Sequence, residues 1–176
     1  MSSLRKKGVN AFIWDFTGKI ANHGVSFVIS VILARLLSPE DFGLIAMVNV
    51  ILVMATILMD VGLGKALIQR SKNLAIHYSS VFYFNFSIGL LLTLILYFSA
   101  DFIGLFYEKP ELVLITKVMS FSFVISSLAV VQNAILTKKL NFKKITTLKL
   151  ISASISGIIG IVLAYKDYGV WSLVMQ

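Results

Sequence analysis

Cysteine is absent from the 176 residues, so the chain has neither a disulfide framework nor thiolate chemistry. Acid is scarce as well: eight Asp and Glu stand against sixteen Lys and Arg, with two histidines. The sequence offers no pair of carboxylates, no metal-ligand cluster and no nucleophile with a positioned base, so it does not read as an enzyme. Charge of either sign is thin. Charged residues make up 14% of the chain against 58% hydrophobic ones, with a mean hydropathy of +0.91. An ordinary water-soluble domain does not carry that balance. What remains is an integral membrane protein of the all-α class, a polytopic helix bundle with the lipid bilayer as its first partner.

The apolar residues come in long runs. Residues 42–59 contain no ionisable side chain, residues 73–100 contain only His77, and 118–137 and 150–165 contain none. At roughly 1.5 Å per residue, about 18 to 20 such residues cross a hydrocarbon core. The first run is less pure, since Lys19, His23 and Arg35 fall within it. The expected order is a basic, amphipathic cytoplasmic stretch over 1–13, spans at 14–37, 39–64, 78–100, 112–136 and 146–165, and the first turns of a sixth at 168–176. Arg5 to Lys7 ahead of an apolar run resembles a signal peptide, but Ile32-Leu33-Ala34 lacks a small residue at the minus-three position and further spans follow. An uncleaved first helix is the better reading.

Both prolines sit at turns. In LARLLSPEDFGLIAMV (33–48) one apolar segment ends and another begins. Ser38 is placed to cap the second segment, Pro39 to occupy its first position, and Glu40 and Asp41 to face the exposed amides of the first turn. Glu108-Lys109-Pro110-Glu111 repeats the device. Grouped by the side each hairpin implies, twelve cations (Arg5, Lys6, Lys7, Lys19, Lys65, Arg70, Lys72, Lys138, Lys139, Lys143, Lys144, Lys149) and two acids (Asp15, Asp60) fall on one side. The other side holds Arg35, Lys109, Lys117 and Lys166 with the remaining six acids. Lysine and arginine in short loops set orientation, so the N-terminus is expected in the cytoplasm and the SPED turn outside. The net charge of +8 is thereby accounted for as topology, and nucleic acid is not an expected partner. The lysines of 138–144 suit anionic headgroups.

Polar residues inside the spans are the candidates for function. At about 100° per residue, Asp15, Lys19, Asn22, His23, Ser26 and Ser30 fall within a roughly 100° arc of the first helix. Two readings stand: the arc packs on neighbouring helices with Lys19 reaching the headgroups, or it lines a polar cavity with His23 nearest the bilayer centre. Asn49, Thr56 and Asp60 fall on one line of the second span, and Asp60 pairs with Lys65 or Lys19 or is solvated at the interface. The third span carries Tyr83, Asn85 and Thr93. Lys117 in the fourth either reaches outward or points into a cavity as a cation for an anionic substrate. The cavity candidates are Lys19, Asn22, His23, Asn49, Asp60 and Lys117; no metal ligand or catalytic residue is expected. In the fifth span Ser152, Ser156, Gly160 and Ala164 recur every fourth position beside Ala153 and Gly157, a spacing that lets membrane helices approach closely, so this span is expected at the centre of the bundle.

ILARLLSPEDFGLIAMVNV (32–50), DVGLGKALIQR (60–70), TKKLNFKK (137–144) and YGVWSLVMQ (168–176) together resemble the polysaccharide transport family. These are the Wzx-like O-antigen and exopolysaccharide flippases of the multidrug/oligosaccharidyl-lipid/polysaccharide superfamily. The resemblance implies a two-lobe, MATE-like transporter of twelve or more helices, of which this chain is the N-terminal lobe, so that a C-terminal lobe is its missing partner. It further implies alternating access in the bacterial plasma (inner) membrane, with an undecaprenyl-diphosphate-linked oligosaccharide as cargo and a proton or sodium gradient, rather than a cofactor, as the drive. Cavity cations would then attract the diphosphate. Lys19, Arg35 and Lys117 lie within spans, and Arg35 falls nearly opposite the polar arc. The alternatives are a drug/cation antiporter of the same superfamily, which needs a buried carboxylate, and a truncated membrane protein that transports nothing.

Overall fold

The computed structural model describes the backbone of residues 2–59, 63–69 and 75–176. Every regular element among them is an α-helix: α1 (Ser2–Leu36), α2 (Pro39–Met59), α3 (Leu63–Gln69), α4 (Ala75–Phe106), α5 (Glu111–Ser120), α6 (Ser122–Lys138), α7 (Phe142–Tyr165) and α8 (Trp171–Val174). Five stretches are long and apolar enough to cross a bilayer: Ile13–Leu36, Pro39–Ile57, Ile76–Phe106, Glu111–Lys138 and Phe142–Tyr165. The protein is a polytopic membrane helix bundle. Its outward side chains fit that solvent, because Phe27, Ile57, Phe98, Leu105 and Ile125 are 68–76% exposed. In water such a surface would aggregate; in hydrocarbon it costs nothing.

The helices differ from the sequence expectation mainly at their ends. α1 is continuous from Ser2, so the 1–13 stretch runs straight into the first span. α2 is described as far as Met59, and residues 60–62, Asp60 among them, lie outside the described residues. α4 is longer than 78–100. The fourth span is two helices, α5 and α6, meeting at Phe121.

The chain divides into two compact units. The first is Met1–Phe42 with Leu136–Gln176. In it α1 and α7 pack side by side and parallel. The Thr146 hydroxyl donates to the Trp14 carbonyl at 3.3 Å near one end, Ile29 lies against Gly157 midway, and Leu33 clusters with Ala164 near the other end. Gly157 permits the approach, since a Cβ there would overlap the Ile29 side chain. Without a hydrophobic force between helices in lipid, such close packing is what holds them. α8 joins α7 at Gly160, and Leu173 packs on the Leu33–Ala164 cluster. The small residues in contact are thus Gly157, Gly160 and Ala164, whereas Ser152 is exposed. Ser38 follows the Leu33 end and Lys143 stands at the Trp14 end, so the two lie at opposite ends of this unit.

The second unit is Gly43–Ile135. α4 turns through 107–110 into α5 and α6, which run back along it as an antiparallel hairpin. Gly89 is the close contact: a Cβ there would stand 2.8 Å from the Phe123 carbonyl oxygen and 2.9 Å from Ser127 Cβ. At the far end from the turn, Leu67 of α3 packs with Val131 and Ala134 of α6 and with Tyr78, Val81 and Phe82 of α4.

Candidate functional site

α1 presents three faces. One, through Gly18, Val25, Ile29 and Leu33, is committed to α7. A second, with Phe16, Ile20, Phe27 and Val31, is exposed and apolar. Between them runs the polar arc, whose members have different surroundings. Lys19 Nζ donates to Asp15 Oδ2 at 2.7 Å one turn away, so its charge is already matched. His23 and Ser30 are exposed, and Ser26 is half-buried. Asn22 sits at the edge of the α7 contact, half-buried, with its Oδ1 sealed from solvent and without a hydrogen-bond partner. A buried amide oxygen left unpaired costs about 1 to 3 kcal/mol, so a donor arriving at this position would be rewarded.

In the second unit Asn49 is exposed on α2, and the Thr56 hydroxyl donates to the Val53 carbonyl at 2.7 Å. The third member of that line, Asp60, lies outside the described residues. Lys117 of α5 neither reaches outward alone nor stands as a bare cation. Its Nζ donates to both oxygens of Asp101 on α4, each at 3.1 Å, and lies 5.5 Å from the centre of the Tyr97 ring. The partner lies 16 residues earlier, beyond any helical spacing, which is why a reading by periodicity does not find it.

Buried polar residues collect near the break in the fourth span. Thr93, Thr116, Ser120, Ser127 and Asn85 are all buried. The Thr93 hydroxyl donates to the Gly89 and Ser120 carbonyls, each at 2.9 Å, and the Ser120 hydroxyl to the Lys117 carbonyl at 2.8 Å. Asn85 donates to the Val81 carbonyl at 2.8 Å. These groups serve the backbone. Thr116 Oγ1 alone of the set is buried without a hydrogen-bond partner. Among the described residues no group of His, Asp and Glu is placed to hold a metal ion.

The geometry is that of a helical membrane chain with one polar helix flank and internal ion pairs. The sequence profile described as "Polysaccharide biosynthesis protein" matches residues 32–176. The chain belongs to this polysaccharide biosynthesis protein family. Relatives of the chain include the succinoglycan biosynthesis transport protein ExoT of Rhizobium meliloti (strain 1021), 31% identical over 93% of this chain and 33% of its own length. The lipopolysaccharide biosynthesis protein WzxC of Escherichia coli (strain K12) is 27% identical over 81% of this chain and 29% of its own. The teichuronic acid biosynthesis protein TuaB of Bacillus subtilis (strain 168) is 27% identical over 89% of this chain and 32% of its own. The chain therefore spans about a third of the length of these relatives. No solved structure matches it.

Proposed function

We propose that this chain is the N-terminal part of an exporter that flips a lipid-linked oligosaccharide across the bacterial plasma membrane by alternating access. The N-terminus is cytoplasmic, and a C-terminal lobe completes the pathway. The observation that carries the reading is the family match over 32–176, supported by a relative whose name is that of a succinoglycan biosynthesis transport protein. Orientation is supported within the first unit: Lys138, Lys139, Lys143 and Lys144 gather at the Trp14 end and Glu40, Asp41 and Asp167 at the other.

The cavity set is Lys19, Asn22, His23, Asn49, Asp60 and Lys117. Within it the weight falls on Asn22 and His23. Lys19 and Lys117 already hold carboxylates, whereas Asn22 keeps a sealed, unpaired oxygen and His23 stands open on the same flank. Hydroxyl-rich sugars supply the donors such a flank can use, and a proton or sodium gradient supplies the drive. A drug/cation antiporter has less support. Of the carboxylates in the spans, Asp15 and Asp101 are each paired with a lysine, and Glu40, Asp41 and Glu111 stand in the first turns of their helices.

The test is complementation of a flippase-deficient cell by the intact gene product, scored by surface polysaccharide against membrane protein level. Asn22→Leu and His23→Leu are expected to lower polysaccharide several-fold at unchanged protein level. Polysaccharide at the wild-type level in both would remove the cavity from this flank, and no polysaccharide with the unaltered protein would remove the flippase reading.

A further inference from the structure

On the side of α1 nearly opposite His23, the α1/α7 pair leaves an open groove of about 500 Å³. Ala21, Gly24 and Val28 of α1 and Ser154 and Ile158 of α7 are among its walls. Its size is that of a small-molecule site. Gly24 makes the notch: a Cβ there would meet nothing within 4 Å. The groove lies within the spans Ile13–Leu36 and Phe142–Tyr165, so in the membrane it faces hydrocarbon.

One end of the same flank is cationic. At about 100° per residue, Trp14 falls on the groove side of α1 and Lys143 on the groove side of α7. Lys143 Nζ lies 5.4 Å from the centre of the Trp14 ring. A tryptophan beneath a lysine is the arrangement that sits among headgroups, and the ring holds the ammonium in place while leaving its N–H bonds free for an anion. From Trp14 to Gly24 is about ten residues, or roughly 15 Å of axis, which is half of a roughly 30 Å hydrocarbon core. An acyl chain whose phosphate is at Lys143 ends at that depth.

We propose that this flank binds one anionic phospholipid, with its phosphate on Lys143 beside Trp14 and an acyl chain in the groove at Gly24. The occupant is a lipid rather than a helix, because Lys143 offers its N–H bonds to a phosphate at headgroup level while the groove walls deeper in the membrane are almost wholly apolar. The proposal rests on the membrane placement alone, not on the transported cargo. It concerns a flank distinct from the cavity candidates.

The experiment is native mass spectrometry of the intact protein in detergent, titrated with dioleoyl-phosphatidylglycerol and with dioleoyl-phosphatidylcholine. One phosphatidylglycerol is expected to bind about fivefold more tightly than phosphatidylcholine, the factor for one lysine near an anionic surface. Lys143→Gln is expected to remove the preference and Lys143→Arg to keep it, while Gly24→Leu weakens both lipids. Gly24→Leu projects into open space, and circular dichroism checks its fold. A photoreactive benzoylphenylalanine replacing Val28 gives an independent reading in native membranes and is expected to crosslink to lipid. Equal binding of the two lipids, an unchanged preference in Lys143→Gln, unchanged binding in a folded Gly24→Leu, or a crosslink to protein would each overturn the proposal.

Discussion

Ser38 and Asp41 close the start of α2 on each other. The Asp41 amide donates to Ser38 Oγ at 3.2 Å, and Asp41 Oδ2 accepts from the Ser38 amide at 3.0 Å and from the Ser38 hydroxyl at 2.7 Å. The Ser38 cap was legible from SPED because it spans three residues and needs nothing from elsewhere in the fold, whereas the return bonds to Asp41 are what the structure adds. Ser38→Ala is expected to cost about 0.5 to 2 kcal/mol, read as a lower midpoint in denaturant titration of the detergent-solubilised protein. Lys117 is the opposite case. Its place inside an apolar span marked it as unusual, but Asp101 was not assignable to it, since only the α4–α5 turn brings the two together. With the Asp101 side chain 71% exposed and that of Lys117 25%, the pair is screened. A double-mutant cycle on Lys117→Gln and Asp101→Asn is therefore expected to give a coupling of roughly 0.2 to 1 kcal/mol. A coupling of several kcal/mol would mean that lipid or protein seals the pair from water.

At the scale of the element, the fourth span shows where pattern reading stops. Residues 112–136 contain no proline or glycine, so periodicity draws one helix. The chain instead tightens at Phe121, whose amide donates to Val118 O at 3.3 Å while the Ser120 hydroxyl bonds back to Lys117 O. A serine that bonds to its own helix bends it. At the bend the Ser120 carbonyl accepts from the Thr93 hydroxyl of α4 at 2.9 Å. Thr93→Val keeps the shape and removes the bond, so it is expected to cost roughly 0.6 to 2 kcal/mol in the same denaturant titration. Gly89→Leu is expected to do far more damage, because its side chain would enter the Phe123 backbone and Ser127. The readout is loss of the monodisperse peak on size-exclusion chromatography.

For the whole molecule the decisive fact is that α1 and α7 are parallel. If both cross the bilayer in one direction, the chain between them must return by an odd number of crossings. The three intervening spans satisfy that count. Cysteines placed singly at Ser38 and Lys143 are therefore expected to react with a membrane-impermeant thiol reagent from opposite faces of the membrane. Labelling of both from one face would break the topology. The absence of native cysteine makes the measurement clean.

Solvent and number of crossings were settled by composition and by run length, because hydrocarbon tolerates neither exposed charge nor unpaired backbone and so leaves its demand in every stretch of a spanning helix. Helix starts were settled locally by capping residues. The choice of neighbours was not: that α7 lies against α1, that Lys143 covers Trp14, and that the small residues in contact are Gly157, Gly160 and Ala164 rather than Ser152 depended on the folded chain. In lipid the contacts between helices come from fit and not from a hydrophobic force. Fit is a property of two surfaces together, and one helix's sequence describes only its own.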